Sequence, residues 1–413
     1  VTVLALVVVR PDAVGAATEL PPGPVLDLPG AWALSQGAGV VVAVIDSGTR
    51  LEHPDLAPNL WRNPAEVAGN RRDDDGNGYV DDVHGVDLTG GHDLHDGLGH
   101  GTHVAGTIAA AANGSGVVGV AYRAKLMTIK VLDSAGNGDT GRVAEGIRYA
   151  AANGARIINL SVESTDNDPR VRAAVQAAAA ADVLIVCSAG NGSTDLDRSR
   201  LYPVSIASPN LIGVAATDEA NQYALTLFSN YGRLTVGVAA PGVDVLSTSR
   251  TGGYETKSGT SMASPHVAGV AALMAAAAPD LTAPELRGLL LEHAVGTDAP
   301  VGAGILDALS SVSAAREATS FQAGQPPGAR VLLATRRGRV TRVQVALLGA
   351  TQAVRRLAVR LDGRLIARVP VSRRVQTVAW RGRAGRRVTV TAQAAGGRKL
   401  ASASARIRTV RMQ

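Results

Sequence analysis

Three short stretches of this chain carry residues whose types and neighbours suit nucleophilic attack and proton transfer. In Gly259-Thr260-Ser261-Met262-Ala263-Ser264-Pro265-His266 a serine stands among small residues, at the head of a run from Val267 to Ala278 made almost wholly of Ala, Val, Leu, Met and Gly. Such a run reads as a helix buried on all sides and stopped at Pro279. Pro265 is expected in the first turn, where the N–H it lacks would have no partner. Ser261 then lies at the positive end of the helix, where backbone N–H groups stabilise developing negative charge. Many ordinary helices begin in this way, so the serine alone decides nothing. The second stretch, Val40-Val41-Val42-Ala43-Val44-Ile45-Asp46, is a continuous apolar run ending in an acid, as in a buried parallel strand. The third, Gly99-His100-Gly101-Thr102-His103-Val104-Ala105-Gly106-Thr107, sets a histidine at the head of a second small-residue helix.

These residues need elements to hold them. Strand-like runs at Val40–Ile45, Lys125–Leu132, Arg156–Leu160, Val183–Ser188 and Leu211–Ala215 alternate with helix-like runs at Gly101–Ala112, Thr140–Asn153, Pro169–Ala181 and Met262–Ala278. Alternation of this kind predicts an α/β fold, a parallel sheet with helices on both faces. Active sites in such sheets lie beyond the carboxyl ends of the strands, where Asp46 falls. With 413 residues, the chain exceeds one typical core, and two domains are expected.

Asp73-Asp74-Asp75-Gly76-Asn77-Gly78-Tyr79-Val80-Asp81-Asp82 interrupts the alternation. Asp73, Asp75, Asn77, Tyr79 and Asp81 repeat the oxygen-donor spacing of a calcium loop, with Gly78 allowing the sharp turn. His84 stands where the closing acid belongs, so a bidentate carboxylate is expected from Asp82 or elsewhere. Carboxylates this dense repel one another unless a cation binds.

Asp46, His100 and Ser261, each within its own local signature, resemble the catalytic residues of the subtilisin-like serine proteases, and the likeness runs from about Ala31 to about Leu309. The resemblance implies a three-layer parallel-sheet catalytic domain over 31–316, and a secreted endopeptidase that works through an acyl-enzyme. His100 would take the proton of Ser261 while Asp46 orients the imidazole. Asn191, in Ala189-Gly190-Asn191-Gly192, would donate its side-chain amide to the oxyanion beside the Ser261 N–H. Ser161, Val162 and Glu163, in Asn159-Leu160-Ser161-Val162-Glu163-Ser164, would bind extended substrate and wall the primary specificity pocket. Relatives usually carry two glycines where this chain has Glu163 and Ser164. An ionisable side chain there narrows the pocket, selects basic substrate residues or points to solvent. A second calcium site is implied at Asp55 and Asn113, completed by backbone carbonyls, unless the two residues only serve their own turns. Against the protease stand a catalytically idle subtilase fold used as an adhesin or binding module, and a processing protease of narrow substrate range.

The ends differ from the middle. Val1–Val9 is wholly apolar, and Ala13-Val14-Gly15-Ala16-Ala17 supplies small residues, so 1–17 resembles the remnant of a signal peptide, with a buried strand as the alternative. Proline-rich Leu20–Pro29 reads as an extended linker over 18–30. Too few residues separate Ala17 from Ala31 for an inhibitory folding chaperone, so folding needs none or the true beginning lies upstream. No other run suits a membrane span, and an exported or cell-surface monomer is expected. Cys187 is the only cysteine, which excludes an internal disulfide, and it reads as a buried apolar residue. His53, His84, His92 and His95 lack the compact spacing of a zinc site.

Glu317–Arg330 is expected as a linker, and 331–413 as a small all-β, immunoglobulin-like sandwich of about seven strands. From residue 321 onward there are 21 Lys and Arg against the single acid Asp362, a net of +20, whereas residues 1–320 carry −14. Such a balance points to an anionic polymer as partner. A solvated face, a clamp onto the acidic domain or a segment lost on maturation are the alternatives. Trp380 and Phe321 alone provide no stacking platform, so binding would be electrostatic.

Overall fold

The computed structural model describes residues 8–10 and 26–322, and strands lying between 328 and 410. It divides into two units, Val1–Ala315 and Arg316–Gln413.

The first unit is built on a nine-stranded sheet. Its order is Gly304–Ile305, Val238–Pro241, Leu211–Asp218, Leu184–Ser188, Ile157–Leu160, Val41–Asp46, Lys125–Lys130 and Gly85–Asp87, with Ala224–Leu225 pairing antiparallel to Leu211–Asp218. All other pairs are parallel. Val41–Asp46 lies in the interior of this sheet, and its apolar residues Val42–Ile45 are buried, as the continuous apolar run requires. The expected strands and helices of this unit are all present, with ends displaced by a few residues. The alternation does not reveal the strands Gly85–Asp87, Ala224–Leu225, Val238–Pro241 and Gly304–Ile305, nor a small antiparallel sheet of Val245–Thr248, Tyr254–Ser258 and Val8–Arg10.

Four sequence readings need correction. Residues 28–30 are not linker: Leu28–Leu34 is a helix capped by Asp27, whose carboxylate accepts the Gly30 N–H, and Leu26 and Leu28 are buried. Pro29 falls in the helix's first turn, so its missing N–H starts the helix instead of preventing it. Pro265 lies deeper than the first turn, because the helix runs from Thr260 to Ala277 with Gly259 as its cap. Residues 317–322 are not linker either. They continue the helix Ala308–Gln322, since nothing in Ser313–Gln322 breaks it before Gly324. Residues 328–330 open the strand Gly328–Arg337, leaving Ala323–Pro327 outside the described residues.

Among the described residues the second unit contains eight strands. They form two four-stranded sheets, Val375–Arg381, Val340–Leu348, Gly328–Arg337 and Arg408–Val410 in one, Arg364–Pro370, Arg356–Leu361, Arg387–Gln393 and Lys399–Arg406 in the other. The last expected strand, Leu400–Val410, is thus divided between the two sheets. The expected turns Asp362-Gly363 and Gly396-Gly397 lie outside the described residues.

Candidate active site

Asp46 ends its strand fully buried, and the helix His100–Ala109 places His100, 1% exposed, against it. The Nδ1 of His100 lies 2.7 Å from Asp46 Oδ1, which also accepts the Ser47 N–H at 2.7 Å. A carboxylate on Nδ1 holds the proton there and leaves Nε2 as the basic atom. Gly101 allows this approach: a Cβ on it would stand 2.2 Å from the Gly48 carbonyl oxygen and 3.1 Å from Asp46 Cβ.

The start of that helix is organised by a residue the motif reading missed. Asp96 is wholly buried, and its two oxygens accept from the Ser47 hydroxyl, the Leu98, Gly99 and Thr102 N–H groups and the Thr102 hydroxyl, at 2.7–3.1 Å. The Ser47 hydroxyl in turn accepts the Gly101 N–H. Asp96 thereby locks the acid-bearing turn to the histidine-bearing one. Its only sequence signal is an acid four residues before His100.

Ser261 is the second residue of its helix, among the N–H groups without intrahelical partners. Pro265 has no N–H to give the Ser261 carbonyl, four residues back, the bond a helix would make there. The Ser161 hydroxyl takes that place at 3.2 Å, itself accepting from Asn159 Nδ2 at 3.0 Å, while Ser264 Oγ donates to Asn159 Oδ1 at 2.7 Å. The Ser261 hydroxyl rests 3.5 Å from the Ser161 carbonyl oxygen.

Asn191 Oδ1 accepts both the N–H and the hydroxyl of Thr260, at 2.9 and 3.1 Å, and Thr260 Oγ1 accepts the Gly190 N–H. With its oxygen committed to two donors, the Asn191 side chain presents its NH2 group away from Thr260. Thr260 was not singled out from the sequence, and its neighbour Ser261 drew the attention.

Val162 is buried and Glu163 only partly so. Ser164 and Tyr202 exchange backbone hydrogen bonds at 2.8 Å, which fixes this wall. Glu163 Oε2 is buried without a hydrogen-bond partner, lying 1.9 Å from where a Cβ on Gly190 would be.

The acidic loop gathers differently from its spacing. Carboxylate oxygens of Asp73, Asp75 and Glu66 lie within 4.8 Å of one another. Glu66, seven residues upstream of the loop, is 5% exposed, and its Oε2 has no partner. The other expected ligands turn elsewhere: Asp81 accepts the Gly69 and Arg71 N–H groups, Asn77 Oδ1 accepts the Tyr79 N–H, and Asp82 accepts from Asn63, Asn77 and Tyr149. Three converging carboxylates, one of them buried with an oxygen left unsatisfied, fit calcium. Asp55 and Asn113 also meet, as acceptor and donor at 2.8 Å. Asp55 further accepts the Val117 N–H and the Tyr254 hydroxyl, so its carboxylate is satisfied by the protein alone.

His103, His53, His84 and the cysteine have structural places. His103 Nε2 bonds the Val245 carbonyl, and burial lowers its pKa to about 3. His53 and His84 hold the Gly253 and Trp61 carbonyls. Burial pushes the Cys187 thiol well above its ordinary range, as expected of an inert residue.

The subtilase family model matches residues 37–324. An intracellular serine protease of Paenibacillus polymyxa is 38% identical over 283 residues, covering 67% of this chain and 81% of the relative. Thermitase of Thermoactinomyces vulgaris is 39% identical over 251 residues, 60% of this chain and 80% of its own. Subtilisin Savinase of Lederbergia lenta is 38% identical over 274, 66% and 90%. Among solved structures, a protease from Pseudoalteromonas arctica superposes with a TM-score of 0.58 at 33% identity, covering 70% of this chain and 94% of that one. The match spans the sheet and every segment that brings Asp46, His100, Asn191 and Ser261 to its edge; the chain belongs to the subtilase family of serine proteases.

Proposed function

We propose that the chain is a secreted, calcium-stabilised endopeptidase whose triad is Asp46, His100 and Ser261. The observation that carries this is the buried 2.7 Å contact between His100 Nδ1 and Asp46 Oδ1, at the carboxyl end of an interior strand. Ser261 Oγ turns from the Ser161 carbonyl to His100 Nε2, gives up its proton and attacks the substrate carbonyl carbon. The Ser261 N–H and the Asn191 NH2 group receive the oxyanion. The imidazolium, held by Asp46, then protonates the leaving amine, and water releases the acyl group by the same route reversed. Ser161, Val162 and Glu163 form the wall along which the substrate lies. An idle binding module is not favoured, since each of these groups is present.

Calcium at Glu66, Asp73 and Asp75 would neutralise their mutual repulsion and cross-link residues 66–82; Asn77, Asp81 and Asp82 would brace those ligands. The satisfied carboxylate of Asp55 favours an anchor between turns over a second cation site. We assign the second unit as an immunoglobulin-like β-sandwich that docks a monomeric enzyme onto an anionic polymer, supported by its net +20. Heparin binding by the full chain should weaken steeply with salt, and no binding at low salt would exclude the role. No helix among the described residues is long and apolar enough to cross a membrane. Export rests on the signal-like residues 1–17. The pairing of Val8–Arg10 with Thr256–Ser258 favours a second reading, in which these residues stay on the mature enzyme. N-terminal sequencing of the secreted protein separates the two. A fluorophosphonate serine reagent tests the whole assignment: Ser261 should be labelled stoichiometrically, and an unlabelled, inactive protein would overturn it.

A further inference from the structure

The carbonyl that Ser261 attacks must lie between its Oγ and the Asn191 NH2 group. The side chain of the residue contributing that carbonyl therefore enters between the segments carrying Ser161 and Asn191. Glu163 is two residues beyond Ser161, and its carboxyl lies against the backbone of Gly190, the residue before Asn191. Gly190 has φ +94° and no Cβ, and any side chain there would be strained and would meet the carboxyl. Asn230 Nδ2 lies beside the same point over Gly190, yet it makes no hydrogen bond to Glu163 Oε2. Asn230 Nδ2 donates to the Ala189 carbonyl, and Asn230 Oδ1 accepts the Gly192 and Thr194 N–H groups. Burial alone raises the Glu163 pKa to about 7, with no charged side chain contributing to the shift.

A carboxyl group that only narrowed the pocket would be expected to bond across it. Glu163 Oε2 bonds to neither wall. An ionised carboxylate left without donors is costly in such a place, and a cationic group delivered by a ligand removes the cost. We propose that Glu163 makes this enzyme select substrates with arginine or lysine immediately before the scissile bond. The inference rests on the protease reading above and adds the substrate class. Arginine's planar fork can engage both oxygens of the carboxylate, whereas lysine offers a point charge, so arginine should be the better of the two.

The test uses the full chain and a series of peptides differing only in Arg, Lys, Leu, Ala or Glu before the cleaved bond, with rates normalised to fluorophosphonate-labelled enzyme. Wild type should cleave the Arg peptide with kcat/KM at least tenfold above the Leu peptide. Glu163→Gln should lower the Arg and Lys values at least tenfold and bring the Arg-to-Leu ratio close to one. Glu163→Lys should favour a Glu peptide over the Arg peptide. An Arg-to-Leu ratio unchanged by Glu163→Gln overturns the proposal. So does a wild type that prefers Ala to both, with Glu163→Gly admitting Leu, because the side chain is then a plug. Failure of wild type to cleave any peptide or to take up the label overturns the protease reading instead.

Discussion

Asp96 and Glu163 are both carboxyl side chains beside segments of the candidate site, Asp96 at the turns of Asp46 and His100 and Glu163 against Gly190. Asp96 accepts from five donors belonging to the two turns that carry Asp46 and His100. Glu163 Oε2 accepts from none. A buried carboxylate with a full set of donors joins segments of backbone and is spent in doing so. One without donors raises the energy of the empty protein and lowers it again only when something arrives. The same contrast separates Asp55, with three protein donors, from Glu66, whose buried Oε2 has none. Satisfied acids should therefore matter for folding, and unsatisfied ones for what is bound.

The largest expected effect sets the baseline. Ser261→Ala should lower turnover on the order of 10⁶-fold, a magnitude taken from subtilisin, while leaving the melting temperature unchanged, because its hydroxyl has only the distant Ser161 carbonyl. A variant retaining more than a percent of activity on casein would sink the assignment. Asn191→Ala should lower kcat by ~10²–10³, again the subtilisin value for one oxyanion donor, with KM little altered. Asp96→Ala, by contrast, should cost about 3 kcal/mol of stability in urea unfolding, because several buried N–H and O–H groups lose their acceptor. A loss below 1 kcal/mol would break the distinction drawn here.

Chelation comes next. Calcium at 100 times its Kd adds ~2.7 kcal/mol to the folded state. EGTA should lower the melting temperature of wild type and have little effect on Glu66→Gln. Asp55→Ala should be less stable yet keep its full response to EGTA, and loss of that response would return Asp55 to the ligands. The smallest effect is a pH slope. A Glu163 pKa raised from 4.5 to about 7 means that the native state holds a proton the unfolded chain has released. Its contribution is fully present below pH 4.5 and lost as pH rises through about 7, so stability should fall with pH across that window. The slope should be absent in Glu163→Gln, measured by urea unfolding from pH 4.5 to 8. An identical slope in the variant would show that the carboxyl is not held as described.

The segments carrying Asp46, His100 and Ser261 were legible because each has its own local pattern: an acid closing an apolar strand, a histidine and a serine heading small-residue helices. Nothing beyond the immediate neighbours was needed to place them. Glu66 was invisible for the opposite reason. It stands seven residues ahead of the loop whose oxygens it joins, and only the chain's path back toward Asp73 and Asp75 reveals it. Asp96 has no pattern of its own; its nearer donors lie within six residues, and the Ser47 hydroxyl joins them only when two distant loops meet. The boundaries failed where proline was taken as punctuation. Pro29 begins a helix and Pro265 lies within one, because a proline's effect depends on whether its missing N–H and its ring have room in the turn.

The gap that Pro265 leaves in its helix has a consequence for motion. Without a ladder bond to the Ser261 carbonyl, the turn Thr260–Ser264 is fastened sideways, through Ser161, Asn159 and Asn191, to loops at the sheet's edge. The apolar remainder, Val267–Ala277, is fastened by core packing. In native-state hydrogen exchange, amides of the remainder should open only with global unfolding, whereas those of Ser261–Ser264 should follow the local opening of the cleft. The turn carrying Ser261 then moves with the loops of Ser161 and Asn191, independently of the helix it begins.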